Sequence, residues 1–165
     1  MAAIDAFLQL DGITGESRDS RHPGAIELNS WSFGVANAGV HATSSGGGTG
    51  RVAFQEIHVT AAVSLASPQL MLHCATGKHI TQGTITVRKA GDTAASGQEF
   101  LIVVMKDVVI TSVQNNTNTN EGPTETFTLA FSKVEFEYKP QKPDGTLGPA
   151  AVFSWDLKTN RIPPP

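Results

Sequence analysis

Apolar and polar residues alternate along most of this chain. Ile4, Ala6, Leu8 and Leu10 fall on one face of a first strand, which Asp11-Gly12 ends. Ile26 and Leu28 begin a second strand, but its next large residues, Trp31 and Phe33, sit at the opposite parity. The same flip separates Val52 and Phe54 from Ile57 and Val59. It recurs where Phe127, Leu129 and Phe131 give way to Val134, Phe136 and Tyr138. A β-bulge adds one residue and bends a strand, so repeated flips suggest strands that curve around a closed or nearly closed barrel. The alternative is strands that pass from facing the core to lining a subunit contact. Either reading argues against flat open sheets.

Residues 99–113, EFLIVVMKDVVITSV, are apolar at both parities, as in a strand covered on both faces. One face would meet the barrel interior, and the other needs a helix or a neighbouring subunit. A final strand, Val152 to Lys158, sets Phe153, Trp155 and Leu157 on one side. The helix is expected at 67–76: Ser67 suits the N-cap, Pro68 the first turn, and Gly77 the left-handed position that stops it. Leu70, Met71 and Cys74 recur there at helical spacing, and Ile85 and Val87 alternate on the strand that follows. Loops are read at 12–24, 34–50, 114–123 and 139–150, and no repeat or second domain is visible. The chain is therefore expected to be a single domain over 1–165, mainly β, a compact antiparallel β-barrel or two-sheet sandwich with one short α-helix on its flank.

Composition narrows the function. Charged residues make up 16 % of the chain, below the roughly 25 % of ordinary domains, and the net charge is −3. No strong field for nucleic acid or an anionic membrane follows, and a surface poor in repulsive charge suits packing against copies of itself. The single cysteine excludes a disulfide framework and an all-cysteine metal site. The N-terminus MAAIDAFLQLDG lacks a basic region and a long apolar core, so no signal peptide is read there. The longest apolar run, 100–105, is far short of the ~20 residues of a membrane helix. The chain is expected to be cytoplasmic when made, with export by a route that uses no cleaved signal left open.

Candidate chemistry is sparse. The glycine-rich stretch Ser44-Ser45-Gly46-Gly47-Gly48-Thr49-Gly50 lacks the G-K-[ST] ending of a phosphate loop and precedes a strand rather than a helix. His73 and Cys74 are adjacent on the helix, pointing about 100° apart, and His79 lies beyond Gly77, so no two-ligand anchor forms on one element. His22, His41 and His58 are scattered, and no nucleophile elbow appears. Arg88 and Lys89 end a strand, where a solvated charge competes with a polar contact between subunits. No catalytic residue, metal site or cofactor is expected, and an enzyme is not. The alternative to a structural protein is a monomeric β-barrel ligand- or carbohydrate-binding module. It would need exposed aromatics, yet most aromatics here lie at core parity.

The segment from Ser67-Pro68 through Cys74-Ala75-Thr76-Gly77-Lys78-His79 to Arg88-Lys89-Ala90-Gly91 closely resembles the Hcp family, the tube proteins of bacterial type VI secretion. The opening Asp5 to Ser17, the strand Ile26 to Phe33, His41 with its glycines, and Tyr138 to Gln141 resemble it as well. The resemblance implies a hexameric ring with a wide channel, with rings stacked into an inner tube and no catalysis. That tube would sit inside a contractile sheath, carry a spike protein and hold small effector cargo. It also implies an inter-ring loop at about 34–50, with His41, Ser44, Ser45, Gly46, Gly47, Gly48, Thr49 and Gly50. If Trp31 and Phe33 face the core, Ser30, Ser32 and Gly34 point into the channel, while Arg88 and Lys89 approach a subunit contact.

Overall fold

The computed structural model describes residues 3–37, 52–89 and 97–164. Its elements in order are β1 (Ile4–Leu10), β2 (Ile26–Ser32), β3 (Val35–Asn37), β4 (Val52–Phe54), β5 (Ile57–Ala62) and α1 (Ser67–Thr76). β6 (Ile80–Lys89), β7 (Gln98–Asn118), β8 (Gly122–Ala130), β9 (Lys133–Tyr138) and β10 (Ala151–Asp156) follow. β7, β6, β1, β2, β5 and β8 are hydrogen-bonded in that order, and β8 pairs back onto β7, closing a six-strand barrel. β9 and β10 extend from the first half of β7, and β3 pairs with β4 apart from the rest.

β7 accounts for the stretch apolar at both parities. With 21 residues it serves two sheets in turn. Residues Gln98 to Val108 pair with β6, Leu101 to Lys106 also pair with β9, and Val109 to Asn118 pair with β8. Val103, Met105, Val108 and Ile110 point into the core. On the opposite face, half-buried Val104 lines a groove with Pro163 and Pro164, so the C-terminal prolines share in covering β7.

The parity flips have two origins. In β2 the register against β5 shifts between Leu28 and Ser30, which is the bulge expected there. The other two are breaks: β4 and β5 are separate strands in different sheets, and β8 stops before Phe131-Ser132 while β9 starts after them. A break changes parity as a bulge does, because the chain leaves one ladder before it joins the next.

The helix keeps the expected bounds, but Ser67 does not cap it. Ala66 holds the N-cap position with helical φ −71° and ψ −25°, and no side chain caps the first turn. Gly77 ends the helix at φ 67°, as its lack of a Cβ allows. Leu70 and His73 are buried and Cys74 packs against the core, whereas Met71 and Leu72 are exposed. The barrel interior is filled by fully buried side chains, among them Leu8, Leu10, Ile57, Ile85, Phe127 and Leu129. Each such side chain contributes about 1.5–3 kcal/mol by leaving water.

Candidate functional site

The bulge in β2 decides what its outer face carries. Trp31, opposite Val59, is half-buried against the core, so Ser30 and Ser32 turn outward and are exposed. Cross-strand partners share a face, and the register extends these two serines into rows across the barrel wall. Ser30 faces Thr60, which faces Thr126, which faces Gln114. Ser32 faces His58, which faces Thr128, which faces Ser112. Thr128 shares its hydroxyl with Thr111 and Ser112, both at 2.6 Å, and Thr60 lies 3.4 Å from Thr126. Between them the two rows carry hydroxyls, one amide and one imidazole, while the carboxylates of Glu27 and Glu56 flank them, Glu56 Oε2 accepting the Thr111 hydroxyl at 2.8 Å.

Sequence reasoning reached Ser30 and Ser32 and missed the rest. The signal lay in the alternating threonines of Thr124, Thr126 and Thr128, but only the register aligns them with β2. Gly34 lies off this face, in the turn from β2 to β3. A Cβ there would come 2.8 Å from Gln55 Oε1, and its carbonyl accepts the Gln55 N–H at 2.9 Å.

The two outer strands of this wall have open stretches. β1 meets β2 only at Phe7–Glu27 and Leu8–Ile26, so β2 beyond Leu28 has β5 as its sole ladder partner among the described residues. β6 reaches β7 only as far as Val108, which leaves β7 beyond it with β8 alone among the described residues. The strands β2-β5-β8-β7 thus form a four-stranded wall that ends on both sides in half-paired backbone.

Arg88 is not solvated. It is buried, and its guanidinium donates to Asp19 Oδ1 at 3.0 Å, to Asp19 Oδ2, and to Asp5 Oδ2 at 3.4 Å. Its Cζ lies 5.0 Å from the centroid of Phe7, whose ring also stacks on His22 at 4.7 Å. His22 Nε2 lies 2.8 Å from Glu99, and Arg21 donates to the Gly97 carbonyl at 2.6 Å. The Arg88 guanidinium pulls the Asp19 carboxyl down to about 2, helped by the Arg21 and His22 amides, and Asp19 raises Arg88 in turn. The cluster pins the 12–24 loop across the ends of β1, β6 and β7. Lys89, half-buried, donates to Gln141 and lies over the Phe100 ring at 5.8 Å.

His41, Ser44, Ser45, Gly46, Gly47, Gly48, Thr49 and Gly50 lie outside the described residues, while β3 and β4 on either side pair as a stem from Val35–Phe54 to Asn37–Val52. His73, Cys74 and His79 do not converge. His73 Nδ1 bonds the Gln69 carbonyl at 2.8 Å, and His79 Nδ1 bonds Asp107 at 2.6 Å. Lys158 takes the other Asp107 oxygen at 3.0 Å, and the two partners hold that carboxyl at about 2. Among the described residues no group of three or more His, Cys, Asp and Glu side chains is placed to hold a metal ion.

Residues 7–138 match the family model described as type VI secretion system effector, Hcp. The chain is 35 % identical over 160 residues to Protein hcp1 of Pseudomonas aeruginosa, covering 96 % of this chain and 98 % of that one. Its fold is similar to that of Hcp1 from Salmonella typhimurium, with TM-score 0.77, 31 % identity, and 98 % and 99 % of the two chains covered. A solved structure described as a type six secretion system protein superposes with TM-score 0.88 at 28 % identity, over 96 % and 99 % of the chains.

Proposed function

The chain belongs to the Hcp family of type VI secretion, and on that premise we propose that six copies close into a ring with the β2-β5-β8-β7 wall turned to the channel. The family makes it a structural, secreted tube protein and not an enzyme. No helix among the described residues is long and apolar enough to cross a membrane. The observation that carries the ring is the wall itself, a polar outer face whose two central rows carry no formal charge, set between two half-paired strands. A half-paired strand invites another strand, and head-to-tail addition generates a ring when the rotation closes. The β2-β5-β8-β7 face then lines the lumen with Ser30 and Ser32, while Gly34 lies at its rim.

Stacked rings form the inner tube, with the sheath outside, the spike at the tip and small effectors in the lumen. The segment containing His41 and Ser44 to Gly50 reaches the next ring, and Lys89 with the loop that Arg88 pins lies at the contact between subunits. The packed barrel interior argues against a solitary ligand-binding barrel, because its inward positions are filled by aliphatic and aromatic side chains.

Mass in solution together with negative-stain images tests the ring: six-fold rings support it, and a monomer at all concentrations overturns it. Ser32→Gln should leave rings intact while lowering effector retention, because a longer side chain narrows the lumen at that row. Unchanged retention of several cargoes would remove Ser32 from the lumen. Deleting Gly46–Gly48 should leave the unfolding midpoint unchanged and weaken ring-to-ring association, and unaltered association would refute the loop's role.

A further inference from the structure

Glu125, in the middle of β8, occupies a position that its strand pattern reserves for an apolar side chain. Thr124 and Thr126 point outward, Phe127 is buried, and Glu125 is 1 % exposed. Its ladder neighbours are Ala61 on β5 and Asn115 on β7. Ser67, the first residue of α1, donates its hydroxyl to Glu125 Oε1 at 2.9 Å, and Asn115 Nδ2 donates to Oε2 at 3.3 Å. The Ser67 hydroxyl in turn accepts the Ser64 N–H at 2.9 Å. A single carboxyl therefore joins the turn before α1, the helix start, β8 and β7. Asn115 belongs to the stretch of β7 that has one ladder partner among the described residues.

The groups around Glu125 set two demands against each other. Both side-chain donors aim at a carboxylate, which favours the ionised form. Against this, no Lys, Arg or His is bonded to it among the described residues, and its ladder partner Ala61, Phe127 two positions along β8 and Ala66 beside Ser67 are fully buried. The other titratable group at the turn is Glu16, whose carboxylate accepts the Leu65 N–H at 3.0 Å. His73, further along α1, is bonded to the Gln69 carbonyl.

We propose that Glu125 is a positioning residue for the ring seam: its carboxyl fixes Asn115, and with it the half-paired stretch of β7, to the start of α1, so that ring closure responds to pH. The proposal rests on the ring reading above. Burial pushes the Glu125 carboxyl up, and the bonds from Ser67 and Asn115 offset this only in part. A raised value in the folded chain means that the favourable contribution is complete below the ordinary glutamate range. It is lost as pH rises through the raised value.

The test compares wild type, Glu125→Gln and Ser67→Ala from pH 4.5 to 8.5, following ring mass by light scattering and the thermal unfolding midpoint. Gln keeps an acceptor for Ser67 and cannot ionise. Wild type and Gln variant carry the same histidines, so the difference between their profiles isolates Glu125. Wild-type rings should weaken relative to the Gln variant as pH rises, by roughly tenfold in dissociation constant for each unit by which the Glu125 value in the ring exceeds that in the free folded chain. Ser67→Ala removes a bond that lowers the value and should move the loss to higher pH. Superimposable wild-type and Gln profiles in both readouts overturn the proposal. A difference in midpoint with no difference in ring mass also overturns it, leaving Glu125 a role in folding alone. If no variant forms rings at any pH, the ring reading fails with the seam, while the midpoints still report whether the carboxyl titrates inside the fold.

Discussion

Replacing Arg88 with Met is the sharpest test of how the 12–24 loop is held. The Arg88 and Asp19 side chains are 6 % and 9 % exposed, so their pairing is largely shielded from water. Removing one member of a buried pair typically costs about 3–5 kcal/mol, because the other charge is left behind. Two features reduce that cost. Asp19 Oδ1 still accepts the N–H groups of Arg21 at 3.0 Å and His22 at 3.2 Å. Asp5 is 41 % exposed, and its pair with Arg88 is worth at most about 1 kcal/mol. One feature adds to it: the guanidinium over Phe7 contributes about 0.5–2 kcal/mol. The expected loss at pH 7 is about 2–4 kcal/mol.

The pH dependence separates the ion pair from simple packing. Asp19 titrates at about 2 in the fold against 3.8 ordinarily, which corresponds to roughly 2 kcal/mol of stability. A depressed folded value means that this contribution is present above the ordinary value and disappears as pH falls from about 4 to about 2. Without Arg88 most of that titration vanishes, so the gap between wild type and variant should narrow by about 1–2 kcal/mol between pH 5 and pH 2.5. Urea unfolding followed by circular dichroism at both pH values measures it. A gap below about 1 kcal/mol at pH 7, or one that stays constant into acid, would refute the reasoning.

Two packing predictions accompany it. Gly83→Ala places a Cβ 2.8 Å from Leu10 Cδ2 and 3.3 Å from Met105 Cε, so it should cost about 1–3 kcal/mol by overpacking, and an unchanged unfolding midpoint would show that Leu10 yields freely. Leu70→Ala empties a fully buried site between α1 and the barrel and should cost about 2–5 kcal/mol in the same urea assay, and a loss under 1 kcal/mol would mean that the helix resettles into the gap.

Local signals carried the elements, and long-range partners decided the surprises. Leu8 and Leu10 are buried as their alternation requires, but Phe7 is buried too, at the opposite parity. Its cover is Arg88 and His22, brought from β6 and from the 12–24 loop. Arg88 looked like a strand-end charge because nothing nearby in sequence neutralises it. Asp19 lies 69 positions away. Ser67 looked like an N-cap because Pro68 follows, yet the Glu125 carboxyl, 58 positions on, takes its hydroxyl. Pro68 and Gly77 fix the ends of α1 by backbone geometry alone, and those bounds were readable. A parity flip could not reveal whether it marked a bulge or a break, since both shift the side-chain period by one and only the ladder partners differ.

The distribution of charge connects the fold to assembly. The buried pair Arg88–Asp19 and the stacked Phe7 and His22 lie where β1 begins and β6 ends, within one chain. There a charge meets its partner internally and need not be matched by a neighbour. On the β2-β5-β8-β7 face the constraint differs, because in a six-fold ring every charge would recur around one lumen and repel its copies within a Debye length or two, about 8–16 Å at physiological salt. Hydroxyls and amides remain wettable without that penalty, since each both donates and accepts. Glu27 and Glu56 flank the two central rows without entering them, and a solitary barrel gains nothing from that exclusion, because ordinary surfaces carry charge freely. The two rows from Ser30 to Gln114 and from Ser32 to Ser112 therefore fit the channel face of the proposed ring better than the outside of a monomer.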